Sequence, residues 1–131
     1  MANAVTGEDA GEALKSELAC AASIAWLAGM DPQQASGVFT FGGTGTNLYA
    51  LKIGLTKASP DYLIDGLNSN NLFVVGNKAS HYSQQTAASW LGIGQSNYIK
   101  VKTNVDQTTN LEDLEMTCVR LLKEGKRIAC I

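Results

Sequence analysis

Histidine occurs once in these 131 residues, at His81, and cysteine three times, at Cys20, Cys118 and Cys130, with no Cys-x-x-Cys pair. That removes any metal site needing two histidines, and no cysteine cluster replaces it. Three widely spaced thiols on apolar segments are expected to be buried and unpaired, as in a reducing compartment. Basic runs are also missing. With 10 Lys and Arg against 12 Asp and Glu, the net charge of -2 offers nothing to a nucleic acid. No apolar run approaches the roughly 20 residues of a membrane span. The first residues, Met1 to Gly11, are small and polar, unlike a signal or transit peptide. The default location is therefore the cytoplasm, and no membrane or nucleic-acid partner is expected. Common catalytic signatures are lacking as well. There is no Gly-x-Ser-x-Gly elbow, and the glycine-rich stretch Gly42 to Asn47 has no following lysine and no Gly-x-Gly-x-x-Gly spacing.

What is present is enough to fold. Hydrophobic residues make up 45% and charged residues 17%, so a core is expected, in one domain spanning 1–131 with residues 1–11 loosely ordered. From Glu12 to Ala28, the residues Leu14, Leu18, Ala21, Ala25 and Ala28 share a helical face widened by Ile24 and Leu27. This predicts a largely buried helix with Trp26 in the core, ended by Gly29 and Pro32. Gly37 to Phe41 is short and β-leaning. The next helix carries Leu48, Leu51, Leu55 and Ala58 on one stripe, with Tyr49 and Ile53 beside it, and Gly54 is expected to permit a close helix contact. Ser59-Pro60-Asp61 breaks it, and Asp65 to Asn71 reads as a loop.

Leu72 to Gly76 is a continuous apolar run, short and β-branched, so it predicts a strand buried on both faces. Ser80 is placed to cap a helix from His81 to Leu91. Asn97 to Thr103 alternates as a strand, with Lys100 and Lys102 on a solvated face. Thr109 to Glu112 fits a capping box before a helix whose face holds Leu111, Leu114, Cys118 and Leu121. Gly125 closes that helix, and Arg127 to Ile131 is a last apolar strand. Alternating helices and strands imply βαβ units: an α/β fold with a mostly parallel sheet and flanking helices. Nothing follows the last strand, so the chain reads as a fragment.

Two places could carry chemistry. The turn Gly42 to Thr46 opens a helix, whose first amides point outward with the positive end of the dipole behind them. Glycines allow close approach and threonines add donors, so an anion, most often phosphate, is the expected ligand. The bland alternative is an ordinary capped helix. His81 follows the Leu72 to Gly76 strand, and in open α/β sheets ligands gather at the carboxyl ends of strands. Its bland alternative is a helix-start residue bonded to nearby backbone.

The two stretches together resemble one family. Gly37-Val38-Phe39-Thr40-Phe41-Gly42-Gly43-Thr44-Gly45-Thr46-Asn47-Leu48-Tyr49-Ala50 is similar to the first block of the group II pyridoxal-phosphate-dependent decarboxylases, which include the glutamate and aromatic amino acid decarboxylases. Lys78-Ala79-Ser80-His81-Tyr82-Ser83, then Ala87-Ala88 and Leu91-Gly92-Ile93-Gly94, resembles the second. The likeness runs from about Glu17 to Ile131. It implies a partial fold-type I, aspartate aminotransferase-like large domain, a homodimer, an amino acid substrate and pyridoxal 5'-phosphate as cofactor. Gly45 and Thr46 align with positions that hold the cofactor phosphate, and Thr44 is adjacent. His81 aligns with the catalytic histidine that stacks on the pyridine ring near the substrate carboxylate. Many relatives have Ala-Ser, Ser-Ser or Glu-Ala where this chain has Gly45-Thr46.

The family also needs a lysine that holds the cofactor covalently and an aspartate on the pyridine nitrogen. Both lie downstream of the stretch represented here. Lys52, Lys78 and Asp106 are in neither motif, and the 131-residue piece alone is expected to be inactive. A carbon-carbon lyase like sphingosine-phosphate lyase shares a similar Gly-Gly-Thr block, but Tyr82-Ser83 after His81 favours the decarboxylases. A non-catalytic remnant keeping a phosphate site is the other alternative.

Overall fold

The computed structural model describes residues 11–67 and 71–131. The expected loose order of residues 1–10, and residues 68–70 of the expected loop, lie outside these described residues. Two compact units divide the chain at Thr40.

In the first unit, helix α1 spans Glu12–Leu27. It ends where Ala28 and Gly29 donate back to the carbonyls of Ile24 and Trp26. Beyond it, Asp31 accepts the Gln33 amide at 2.9 Å in a tight turn. No strand forms at residues 37–41. The Phe39 amide donates to the Glu17 carboxylate at 2.7 Å instead of to a sheet ladder, which holds this segment along α1. The expected burial of α1 is also not observed. Only Ala25 is buried, and Trp26 is 70% exposed, with Leu18, Ile24 and Leu27 likewise in solvent. Helical periodicity locates an apolar face without saying what covers it. Within this unit one helix and one turn are too little to bury so wide a face.

The second unit is built on three parallel strands: β1 (Leu72–Asn77), β2 (Tyr98–Val101) and β3 (Arg127–Cys130), in the order β2-β1-β3. Parallel pairing requires long crossovers. Helix α4 (Ser83–Trp90) lies between β1 and β2 in sequence, and α5 (Leu111–Lys123) between β2 and β3. Helix α2 (Gly43–Ala58) and the single turn α3 (Tyr62–Asp65) precede β1. Side chains alternate along β1 and serve two cores. Leu72 and Val74 pack with Leu51 and Leu55 of α2, Ala87 and Ala88 of α4, Tyr98 and Ala129. Val75 packs on the opposite face with Val101 and Leu121. This is the sheet covered on both faces that the apolar run at 72–76 predicts. Complete burial of Leu55 contributes about 2 kcal/mol on its own.

Several local expectations shift. Gly54 does permit a close contact, but with a strand: a Cβ there would stand 2.5 Å from the Ala129 carbonyl oxygen. Ser80 does not cap α4, which begins three residues later. The cap of α5 is Asn110, whose side chain accepts the Asp113 amide at 2.8 Å, one residue on from the expected box. Cys20 is exposed, and Cys118 and Cys130 are half-buried, so the thiols are free but not enclosed. Tyr98, on the face expected to be solvated with Lys100, is buried and donates its hydroxyl to Gln84 Oε1 at 2.6 Å. Helix α4 covers that end of the strand, which two-residue alternation cannot anticipate.

Two outcomes follow from this packing. Gly54→Ala gains about 1 kcal/mol of helix propensity, yet it should lower stability by about 1–3 kcal/mol net because β3 must move. Thermal unfolding reads this, and a raised Tm would show that α2 and β3 do not approach so closely. Burial raises the Tyr98 phenol above its usual value. A raised folded-state value keeps its stabilisation intact below the unfolded value near 10 and loses it as pH climbs toward the folded value. Tyr98→Phe should therefore unfold less steeply than the parent between pH 10 and 11. Parallel stability curves for the two proteins would refute the assignment.

Candidate functional site

Helix α2 starts on glycine. Gly42 has φ 106 and ψ 179, a conformation open essentially only to glycine, and it supplies no side-chain cap. The first helical bond runs from the Thr46 amide to the Gly42 carbonyl at 3.1 Å. The amides of Gly43, Thr44 and Gly45 thus come before any intrahelical acceptor. No acidic side chain stands in this turn. No described residue lies within 4 Å of where a Cβ on Gly43 would be, so a ligand could reach the backbone there. Thr44 is half-buried, Gly45 buried and Thr46 exposed. The Thr46 hydroxyl is 3.4 Å from the Gly42 carbonyl oxygen. Chemically this donor set suits a phosphate dianion.

His81 lies just before α4 with its ring in solvent contact. The Tyr82 ring stands beside it, centroids 4.3 Å apart and tilted by 35°. The imidazole takes the place of a helix cap: its Nδ1 accepts the Ser83 amide at 3.3 Å and lies 2.8 Å from the Ser83 hydroxyl. The same hydroxyl is 2.7 Å from the Asn47 amide nitrogen on α2. One hydrogen-bonded chain therefore brings the Gly42 to Asn47 stretch and His81 together, across 36 residues of sequence.

Ser83 was not legible as a functional residue. The signal was there, however: Ser83, Ala87 and Ala88 form the buried face of α4, and a serine in that register needs a partner. Asp106, set aside in sequence, has other partners. Asp106 is a turn residue, its exposed carboxylate accepting the Thr108 hydroxyl at 2.6 Å and the Thr108 amide at 3.1 Å. Those bonds hold it below the usual carboxylate range. A cavity of about 290 Å³, lined in part by Gly76, Asn77, Ser80, Gln84 and Thr109, includes neither His81 nor the glycine turn. Among the described residues no group of three His, Cys, Asp or Glu side chains could hold a metal, and no helix is long and apolar enough to cross a membrane.

Comparison with known proteins points one way. No family model matches the chain. The acidic amino acid decarboxylase GADL1 of Xenopus tropicalis is 36% identical over 94 residues, 71% of this chain and 18% of that protein. The human GADL1 is 34% identical over the same share of each. The L-2,4-diaminobutyrate decarboxylase of Rhizobium meliloti is 29% identical over 109 residues, 83% of this chain and 20% of that one. Among solved structures, mouse CSAD superposes with a TM-score of 0.85 at 28% identity, covering 94% of this chain and 26% of its own. The glutamate decarboxylase domain of a Vibrio parahaemolyticus protein superposes with a TM-score of 0.84 at 26% identity, covering 95% and 28%. The chain thus spans about a fifth of the length of the curated relatives it matches.

The backbone at Gly42 offers a direct check of the glycine turn. Gly42→Ala should cost about 1–3 kcal/mol through strain at φ 106. Denaturant unfolding with an unchanged midpoint would mean the turn relaxes to an ordinary conformation.

Proposed function

The chain belongs to the group II pyridoxal-phosphate-dependent decarboxylase family, and on that premise we propose that it is the part of an amino acid decarboxylase that holds the cofactor's phosphate and covers its ring. One observation carries the reading: the glycine-opened start of α2 and His81 are joined through Asn47 and Ser83 into one structure. The residues present fit the cofactor. The amides of Gly43, Thr44 and Gly45, with the Thr44 and Thr46 hydroxyls, supply donors for the phosphate without any acidic side chain opposing it. His81 supplies a flat imidazole backed on one side by Tyr82.

When bound, pyridoxal phosphate supplies the electron sink that makes loss of carbon dioxide from an amino acid feasible. The chain's own part is orientation. The helix start anchors one end of the ligand, and its dipole favours the phosphate charge. His81 would cover the ring, keep water from that face and face the substrate carboxylate. Neither Lys52 nor Lys78 takes the covalent role, which we assign to a lysine beyond Ile131. We assign the whole enzyme to the cytoplasm, in keeping with free thiols at Cys20, Cys118 and Cys130. We also infer that it is a homodimer, to which the exposed apolar side chains of α1 would lend surface.

The whole protein supplied with pyridoxal phosphate should release carbon dioxide from an amino acid. An aldehyde fragment without carbon dioxide would instead indicate the carbon-carbon lyase chemistry. His81→Ala should lower turnover on the order of 100-fold, because the ring that orients the ligand is gone, with the fold retained at a stability cost of about 1 kcal/mol from the lost bonds to Ser83. Thr46→Ala removes one charge-assisted bond and should weaken cofactor affinity roughly 10-fold or more. Normal turnover in the first variant, or normal affinity in the second, would refute the role given to that residue.

A further inference from the structure

Ser83 is the one polar side chain that is fully buried among the described residues, and it stands between the two halves of the site. The directions of its hydrogen bonds can be deduced. Its backbone N–H can only donate, and it points at His81 Nδ1 from 3.3 Å. Nδ1 therefore presents a lone pair. The Ser83 hydroxyl, 2.8 Å from the same nitrogen, must then give it its single proton. Its own lone pairs are left to accept from the Asn47 amide at 2.7 Å. Each group in the series is satisfied in only this sense: Asn47 donates to Ser83, and Ser83 donates to His81. The neutral imidazole is held with its proton on Nε2.

We propose that Ser83 is a positioning residue that, backed by Asn47, fixes the tautomer and the plane of the His81 ring and ties them to the helix whose first turn takes the phosphate. The consequence for chemistry is specific. Nε2–H becomes the free edge of the ring, a donor suited to an anionic carboxylate, where the opposite tautomer would present a repelling lone pair. The functional weight of this inference rests on the decarboxylase reading; the hydrogen-bond directions do not.

The test is the nitrogen spectrum of the whole protein labelled with 15N-histidine, free of cofactor and recorded with the imidazole neutral. The His81 signals are assigned by their loss in His81→Gln. The parent should show a pyridine-type Nδ1 and a pyrrole-type Nε2. Asn47→Asp replaces the amide donor by an acceptor of nearly the same shape, in an early turn of α2 where a negative charge is tolerated. The Ser83 proton then turns to the carboxylate and its oxygen must accept from the ring; that charge-backed bond, at 2.8 Å in the parent, outweighs the longer 3.3 Å backbone contact, so His81 should shift toward the Nδ1–H tautomer. Ser83→Ala leaves only the long 3.3 Å amide contact on Nδ1 and should move the shifts part of the way from the parent's toward those of a free neutral imidazole. With cofactor bound, Ser83→Ala should lower kcat about 10-fold with cofactor affinity little changed, since the phosphate end is intact. A pyrrole-type Nδ1 in the parent, or no change of tautomer in Asn47→Asp, would overturn the proposal. The expected tautomers in a protein that releases no carbon dioxide would leave the relay standing and remove the decarboxylase reading instead.

Discussion

Everything in the second unit depends on β1 being satisfied on every side. Its backbone pairs with β2 along one edge and β3 along the other, and its side chains feed a core on each face. A strand so placed cannot tilt or slide without breaking both ladders and emptying both cores, since a one-residue slip exchanges its faces. Its carboxyl end is therefore a fixed point. The chain leaves the sheet at Asn77, turns through Lys78 and Ser80, and delivers His81 to the start of α4. The histidine is held on short, bonded segments rather than on a long loop, and its position is inherited from the sheet.

Helix α2 reaches the same place from another direction. It is seated by Leu51 and Leu55 under the sheet and brought against β3 by the missing side chain at Gly54. Its first turn is built differently from an ordinary helix start. Stability alone would favour Ser, Asp or Asn at the cap, where Gly42 gives no side-chain bond. The start of α5 makes the contrast within the same unit: Asn110 caps it, and Glu112 and Asp113 fill its first turn. One helix start is closed by its own side chains and the other is left with amide donors and neutral hydroxyls. That difference is what an anion site requires, and with glycine at the cap it costs α2 only about 0.3 kcal/mol.

The sequence disclosed most of the second unit because its signals are local. A short β-branched run, glycine and proline breaks and helical spacing do not depend on distant partners, so the strands at Leu72, Tyr98 and Arg127 and the helices between them are legible. What misled were positions governed by tertiary neighbours. Tyr98 alternates with a solvated lysine yet lies under α4. Trp26 sits on an apolar helical face that stays uncovered in its own unit. Gly54 signals close approach, and only the packed unit reveals that its neighbour is strand backbone. The glycine turn and the histidine were each visible as motifs, but their juxtaposition came from resemblance. The spacing of 36 residues between Asn47 and Ser83 contains no physical statement that they touch.

That contact also explains why a buried serine is tolerated on the inner face of α4. An unpaired hydroxyl there would cost on the order of 1–3 kcal/mol, and alanine, already present at Ala87 and Ala88, would fill the same register without penalty. Serine is neutral at this position only because Asn47 and His81 both reach it. Each of those side chains is in turn restrained by a separate element, α2 for one and the turn after β1 for the other. Asn47 is fixed because α2 packs on the core, and His81 because its short turn is bonded to the ends of β1 and β2. The polar chain is thus stable for the same reason that it can orient the histidine: the core beneath it holds both ends at a fixed separation.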